Sequence, residues 1–94
     1  MADALKMLGL IYRAKKMLLG EEVLNHIDKV DLIILASDIS DKSRERYIKK
    51  STYYKIDVID SFTSQQMSDA LGKKVIKVIG ITDKGFKKAL LSKI

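Results

Sequence analysis

The stretch DLIILASD at residues 31–38 decides the fold class of this 94-residue chain. Five consecutive apolar residues, rich in branched side chains, run from Leu32 to Ala36, and a polar turn follows them at once. An uninterrupted apolar run of this length is typical of a strand that is covered on both faces. The sequence therefore predicts a buried strand with helices on either side of it.

Helix and strand signals alternate on both sides of this strand. In chain order we predict a helix at 3–13, a strand at 17–19, a helix at 20–28, the strand at 32–36, a helix at 41–53, a strand at 56–59, a helix at 63–71, a strand at 75–81 and a helix from Asp83. One helix followed by four strand–helix units is typical of an α/β protein. We predict a three-layer α/β/α sandwich with a central mixed four-stranded sheet.

Local capping signals support the two C-terminal helices. Thr63 and Gln66 have the spacing of a capping box, in which each side chain bonds the backbone of the other. Gly72 suits the end of the same helix, because glycine accepts a left-handed conformation. Asp83 is predicted to cap the last helix.

The composition limits the classes of protein to which the chain can belong. No proline and no low-complexity tract marks a linker, so we expect one domain over residues 1–94. The sequence contains no cysteine, which excludes disulfides, thiolate metal sites and a cysteine nucleophile. We find no signal peptide and no apolar run near the roughly 18 residues of a membrane span, so we expect a cytoplasmic protein without membrane contact.

Catalytic signatures are missing from the sequence. His26 is the only histidine, and no nucleophile motif or metal-ligand spacing accompanies it. The segment GITDKG at residues 80–85 lacks the Gly-Lys-Ser/Thr ending that a phosphate-binding loop needs. We therefore expect no enzyme, no cofactor, no metal and no small-molecule substrate.

A net charge of +6, from 18 Lys and Arg against 12 Asp and Glu, favours a polyanionic partner. The first candidate site follows the first helix and consists of Arg13, Lys15, Lys16, Gly20, Glu21 and Glu22. The cations attract phosphates, and the start of the second helix offers unpaired backbone N–H groups. A carboxylate there can accept hydrogen bonds from base edges. The alternative is a helix cap beside solubilising lysines.

The second candidate site is Lys73, Lys74 and Val75, between a short helix and the last strand. Two lysines can meet phosphates while the apolar side chain covers a base, although an ordinary turn is the alternative. The third feature is a set of cations in the helix at 41–53: Lys42, Arg44, Arg46, Lys49 and Lys50. We expect these cations to be spread around the helix as a solvated face, and Tyr53 and Tyr54 to serve in core and rim packing.

Taken in order, several short segments make the chain resemble a known family over nearly its whole length. They are LGLIYRAKK at 8–16, GEE at 20–22, the strand at 32–36 with Ser37 and Asp38, YYK at 53–55, LGKK at 71–74 and ITDKGF at 81–86. The family is the ribosomal protein L-seven-Ae / L-thirty-e family of kink-turn RNA-binding proteins, and the chain is most similar to its small bacterial YlxQ-type members.

The resemblance implies an α/β/α sandwich and binding to a sharply bent internal RNA loop, as a ribosomal or ribosome-associated protein. It implies two recognition surfaces: a Gly-x-Asn-Glu-x-x-Lys pattern at a strand–helix junction, and a hydrophobic loop before the last strand. Gly20 matches the first glycine, and in that register Glu22 stands at the asparagine position, Val23 at the glutamate position and His26 at the lysine position. A register shifted by one residue places Glu22 at the glutamate position and Asn25 at the lysine position. The incomplete pattern leaves a second hypothesis open, a protein-interaction module on the same fold.

Overall fold

The computed structural model describes residues 2–94, and the predicted domain start at Met1 lies outside them. The elements are α1 (Ala2–Arg13), β1 (Met17–Leu19), α2 (Glu21–Asn25), a 3₁₀ turn (Ile27–Lys29), β2 (Leu32–Ala36), α3 (Asp41–Tyr54), β3 (Asp57–Phe62), α4 (Ser64–Leu71), β4 (Val78–Ile81) and α5 (Lys84–Leu91). The predicted order of helices and strands is confirmed. Within the described residues, no helix is both long enough and apolar enough to cross a membrane.

The four strands form one mixed sheet in the order β1-β4-β2-β3. β2 and β3 are parallel, and α3 connects them, whereas β4 runs antiparallel to both of its neighbours, β1 and β2. All five residues of β2 are fully buried, which confirms the strand covered on both faces. The most apolar run of the sequence therefore occupies the inside of the sheet, where apolar surface is removed from water.

Helices cover both faces of the sheet and complete the predicted three-layer sandwich. Val23 of α2 packs against Gly80 of β4 on one face, and Glu21 of α2 reaches Arg46 of α3, so α2 and α3 are neighbours. On the other face α1 packs against α4 and α5. Ala4, Leu8 and Ile11 are the buried positions of α1, at the spacings of three and four that an amphipathic helix requires.

The topology brings four chain segments to one edge of the sheet. β1, β2 and β3 end there, and β4 begins there because it runs in the opposite direction. The backbone N–H of Gly20 donates to Val78 O at 3.1 Å, and that of Ala36 donates to Lys77 O at 2.8 Å. We call this edge the C-terminal edge. The loops that leave β1, β2 and β3 lie beside the loop that enters β4.

Three elements have boundaries that differ from the prediction. The helix predicted at 20–28 is a five-residue helix that ends at Asn25, because His26 adopts φ −126° and ψ 36°, outside the helical region. The strand predicted at 75–81 begins only at Val78. Ile76 donates its backbone N–H to the Ser68 hydroxyl at 2.8 Å instead of joining a neighbouring strand. β3 also differs from its prediction, since it extends to Phe62.

Candidate nucleic-acid interface

The junction of β1 and α2 lies at the C-terminal edge and turns at Gly20. This residue has φ 56° and ψ −129°, a combination that glycine adopts readily and L side chains avoid. The backbone N–H of Gly20 donates a hydrogen bond to the carbonyl of Val78. The carbonyl of Gly20 accepts a hydrogen bond from the Val23 N–H at 3.1 Å. The chain therefore turns at Gly20 from β1 into α2, and Glu21 and Glu22 follow directly after the strand.

The structure brings Glu22 and His26 together on the outside of α2. The Glu22 Oε2 lies 3.3 Å from His26 Nε2, and both side chains are about half exposed, 58% and 47% respectively. A carboxylate with free oxygen lone pairs beside an imidazole offers an acceptor and a donor to one polar ligand edge. Glu21 points elsewhere, with its carboxylate 3.9 Å from the guanidinium of Arg46 on α3.

The loop between α4 and β4 carries the second candidate site. Gly72 ends α4 in the left-handed conformation, with φ 66° and ψ 30°. Lys73 then donates its N–H to Ser68 O at 3.1 Å, and Ile76 donates to the hydroxyl of the same serine. These two bonds fold the loop back along α4. Lys74 and Val75 therefore project outward, and Val75 is 72% exposed although it is apolar.

A small cleft of about 240 Å³ lies between this loop and α4. It is lined by Ser64, Gln65, Ser68, Lys73, Lys74 and Val75. Its volume is below the roughly 300–1,000 Å³ of pockets for whole small-molecule ligands. The sequence analysis missed the three α4 residues, because a helix-start serine and glutamine give no signal apart from capping.

Lys73 extends from this loop towards α1. Its ammonium group lies 5.1 Å from the centroid of the Tyr12 ring, within the range of a cation–π contact. The ring limits the directions in which the charge can point while leaving the lysine exposed to solvent. Lys73 therefore presents a positioned positive charge at one end of the cleft.

Two further residues hold the C-terminal edge together, and the sequence analysis assigned neither of them a role there. Asp38 accepts hydrogen bonds from the Ser64 N–H at 2.8 Å and from the Ser64 hydroxyl at 2.6 Å, which ties the loop after β2 to α4. The hydroxyl and then the backbone bond of Ser64 lower the pKa of Asp38 below its ordinary 3.8. Arg44 pairs with Asp60 at 2.9 Å and donates to the carbonyl of Ser37 at 3.2 Å.

The structure does not bring the first three cations of the first candidate site to this edge. Lys15 and Lys16 precede β1, and the Lys16 carbonyl accepts from the N–H of Thr82, which follows β4, so they lie at the opposite edge. Gly20 follows Lys16 by four positions, roughly 13 Å of extended strand. Arg13 lies on α1, beside Leu10 and Ala70, in a surface groove of about 440 Å³.

The cations of α3 are arranged differently from the prediction. Four of them lie together around one surface groove of about 410 Å³, which is lined by Lys42, Glu45, Arg46, Lys49 and Lys50. Only Arg44 turns away, towards β3. The expected core and rim packing of the tyrosine pair is wrong for Tyr53, which is 79% exposed and contacts Tyr54 edge to face at 5.0 Å.

Comparison with known proteins places the chain in a family, although no protein-family model matches it. The RNA-binding protein YlxQ of Enterococcus faecium is 32% identical over 88 residues, which cover 90% of this chain and 84% of that protein. The RNA-binding protein YlxQ of Bacillus subtilis (strain 168) is 30% identical over 89 residues, which cover 92% and 89%. The chain belongs to the YlxQ family. The resemblance that the sequence motifs indicate is therefore confirmed, and neither YlxQ relative is named as an enzyme.

Solved structures share the fold of this YlxQ family member. A protein with unknown function from Bacillus halodurans C superposes with a TM-score of 0.92 and 34% identity, over 98% of this chain and 96% of that one. The 15.5kD RNA binding protein of Giardia lamblia superposes with a TM-score of 0.76 over 94% and 78% of the two chains. Its identity is 14%, so it supports the fold alone.

Among residues 2–94 no three His, Asp or Glu side chains are grouped so that they could hold a metal ion. The candidate interface of this YlxQ protein consists of polar and cationic side chains around the exposed apolar Val75. Its members belong to the two segments that meet at the C-terminal edge: Gly20, Glu22 and His26 around α2, and Lys73, Lys74 and Val75 in the loop before β4.

Proposed function

We propose that this protein binds structured RNA at the C-terminal edge of its sheet, as a binding protein and not as an enzyme. One observation carries the proposal: the fold places the β1–α2 junction and the loop before β4 at the same edge, although about fifty residues separate them in sequence. The residue types of each segment suit RNA contact even without this proximity. Two surfaces at one edge can grip an irregular RNA from two sides.

The chemistry of the two surfaces is complementary. The Glu22 carboxylate can accept hydrogen bonds from base amino and imino groups, and His26 stands beside it. Lys73 and Lys74 can meet phosphates, which position an RNA without reading its sequence. Val75 and the cleft beside it can cover one base that has left its stack, as in the recognition of RNA loops and bulges. α2 has only five residues, so we assign phosphate binding to the lysines and not to its helix start.

The form of RNA that we propose is a bent, kink-turn-like internal loop, in ribosomal RNA or in another RNA, bound by a ribosome-associated protein. The printed names of the YlxQ relatives support RNA as the ligand. The position of Gly20 and the exposed loop before β4 agree with the two recognition surfaces of the family that the sequence resembles. Since Val75 lies in a lysine-rich loop, we expect phosphate contacts to contribute more to affinity here than in a purely apolar loop.

Two single substitutions test the proposal, because they should change the affinity for bent RNA and for plain duplex RNA in different ways. Glu22→Ala removes an acceptor and a negative charge, so affinity for the bent RNA should fall by roughly 1–3 kcal/mol if the contact is bidentate, while affinity for plain duplex stays equal or rises. Lys73→Ala removes a phosphate contact, so it should weaken both RNAs and make the logarithmic salt dependence of binding shallower by about 1. Gel shift or fluorescence anisotropy over a salt series measures both effects.

Thermal unfolding of each variant controls for stability. If Glu22→Ala improves binding to every RNA, the carboxylate reads no base and the bent-loop proposal fails. That result would favour the second hypothesis, a protein-interaction module. One observation supports this alternative: Leu10 is 54% exposed between Lys6 and Arg13 in the groove on α1.

A further inference from the structure

The outward face of α3 is a distinct surface, which we call the α3 face and define by Lys42, Arg46, Lys49 and Lys50. Residues 42, 46 and 49 follow one another at spacings of four and three, so they share one side of the helix. The opposite side holds the buried Tyr47 and Ser51. The four side chains surround one open groove, which confirms that they are neighbours in space.

Half of the net charge of the protein lies on this helix. Residues 41–54 contain five Lys and Arg and two Asp and Glu, a net charge of +3 out of +6 for the whole chain. A solvated helix face generally carries mixed charges that balance locally. Clustering of cations along a single helix is instead the electrostatic pattern of nucleic-acid contact.

Acidic groups neutralise this face only in part. Lys49 pairs with Glu45 at 3.2 Å, and Arg46 lies 3.9 Å from Glu21. Within residues 2–94, Lys42 and Lys50 form no ion pair. Both ion pairs are exposed to solvent, so each contributes little to the stability of the fold. A more strongly charged anion can therefore replace the carboxylate in either pair.

The α3 face is continuous with the C-terminal edge. Ser40 caps α3 directly after the loop that leaves β2, so the helix begins at that edge and extends away from it for about 21 Å. Arg46 contacts Glu21, the residue next to Glu22. An RNA held at the C-terminal edge therefore has a path along α3 on which its next phosphates meet successive cations.

We propose that the α3 face binds the phosphate backbone of an RNA stem that flanks the loop held at the C-terminal edge. This inference rests on the proposed function and adds a second contact of a different kind. The C-terminal edge reads the loop, whereas the α3 face holds the adjoining duplex through charge and without sequence preference. Affinity should therefore depend on the length of the flanking stem.

The test compares one bent RNA with a stem of a few base pairs against the same RNA with the stem extended by one helical turn. The double variant Lys49→Ala/Lys50→Ala should leave the short-stem affinity near that of the wild type. For each phosphate that the two lysines neutralise, it should weaken the long-stem complex by up to about eightfold at about 0.1 M salt and reduce the salt slope by about 0.9.

The matched control is Lys84→Ala/Lys88→Ala, which removes the same charge from exposed positions of α5. This variant should affect both RNAs equally and only slightly. Equal reductions in affinity by the α3 and α5 variants would overturn the proposal, because net charge alone would then explain binding. If the α3 variant binds the long-stem RNA as tightly as the wild type, this proposal is overturned and the proposed function remains intact. If Glu22→Ala and Lys73→Ala do not show their expected effects, the result counts against RNA binding at the C-terminal edge instead.

Discussion

At the scale of single residues, Gly20 controls how the chain enters the candidate interface. Its φ of 56° and ψ of −129° lie in a region that an L side chain occupies only under strain. A Cβ at this position would meet no heavy atom within 4 Å. The requirement for glycine therefore comes from the backbone conformation and not from crowding.

We predict that Gly20→Ala destabilises the fold by about 1–3 kcal/mol, the cost of holding a residue in a disfavoured backbone region. Gly72→Ala is the matched variant. A Cβ at Gly72 would also meet no heavy atom within 4 Å, but Gly72 has ordinary left-handed backbone angles. Gly72→Ala should therefore destabilise the fold by roughly 1–2 kcal/mol, the cost of that conformation for an L residue. Urea unfolding with an unchanged m-value measures both. A smaller destabilisation at Gly20 than at Gly72 would contradict the conformational argument.

At the scale of elements, the pairing of Asp38 with Ser64 joins two parts of the C-terminal edge that the sequence separates by 26 positions. The loop after β2 thereby becomes fixed to the first turn of α4, which lines the cleft. Arg44 holds the same loop from the α3 side through the carbonyl of Ser37. The geometry of the cleft therefore depends on side-chain hydrogen bonds that join the loop after β2 to α3 and α4.

The hydrogen bonds from the Ser64 hydroxyl and backbone N–H lower the pKa of Asp38. These two bonds therefore contribute fully to the stability of the fold above the ordinary pKa of 3.8, and their contribution is lost as the pH falls through the lowered pKa. We predict that Ser64→Ala raises the pKa of Asp38, measured by NMR titration of its carboxyl group. The stability difference from wild type should be constant near neutral pH and shrink in acid. Ser92→Ala, which removes a hydroxyl bond to a backbone carbonyl, should show no such pH dependence.

At the scale of the whole molecule, the spacing between the helical layer and the sheet is set where β4 meets α2. A Cβ on Gly80 would lie 3.2 Å from methyl groups of both Val23 and Val30. Both valines are buried, so they cannot move into solvent. The absence of a side chain at Gly80 allows α2, and with it Glu22, to lie close against the sheet.

Gly80→Ala should therefore destabilise the protein by about 1–3 kcal/mol through overpacking. Val23→Ala creates space at the same point, so the double variant should be more stable than the sum of the single effects predicts, by about 0.5 kcal/mol or more. Gly80→Ala combined with Phe62→Leu is the control. Phe62 lies on β3, two strands from β4, and the two effects should add within about 0.5 kcal/mol. Additivity in both pairs would show that Val23 does not limit the layer spacing.

The sequence by itself determined the order of the elements, because apolar periodicity and capping residues are local properties. The run from Leu32 to Ala36 became the buried β2, and the predicted caps at Thr63 and Asp83 accept the expected backbone bonds. Family membership was equally readable from short motifs in a fixed order. The ends of the elements were harder to predict from the sequence. β4 begins late because the N–H of Ile76 donates to the hydroxyl of Ser68, a partner eight residues away.

Tertiary structure alone decided which candidate residues could act together. Strand direction is set by long-range pairing, and the antiparallel β4 brings the loop that enters it, with Lys74 and Val75 beside Ser64, to the edge where Gly20 lies. The same pairing leaves Lys15 and Lys16 at the opposite edge, although they are closer to Gly20 in sequence. Proximity in this sheet depends on the direction and order of its strands, and neither is encoded in the local pattern of any single segment.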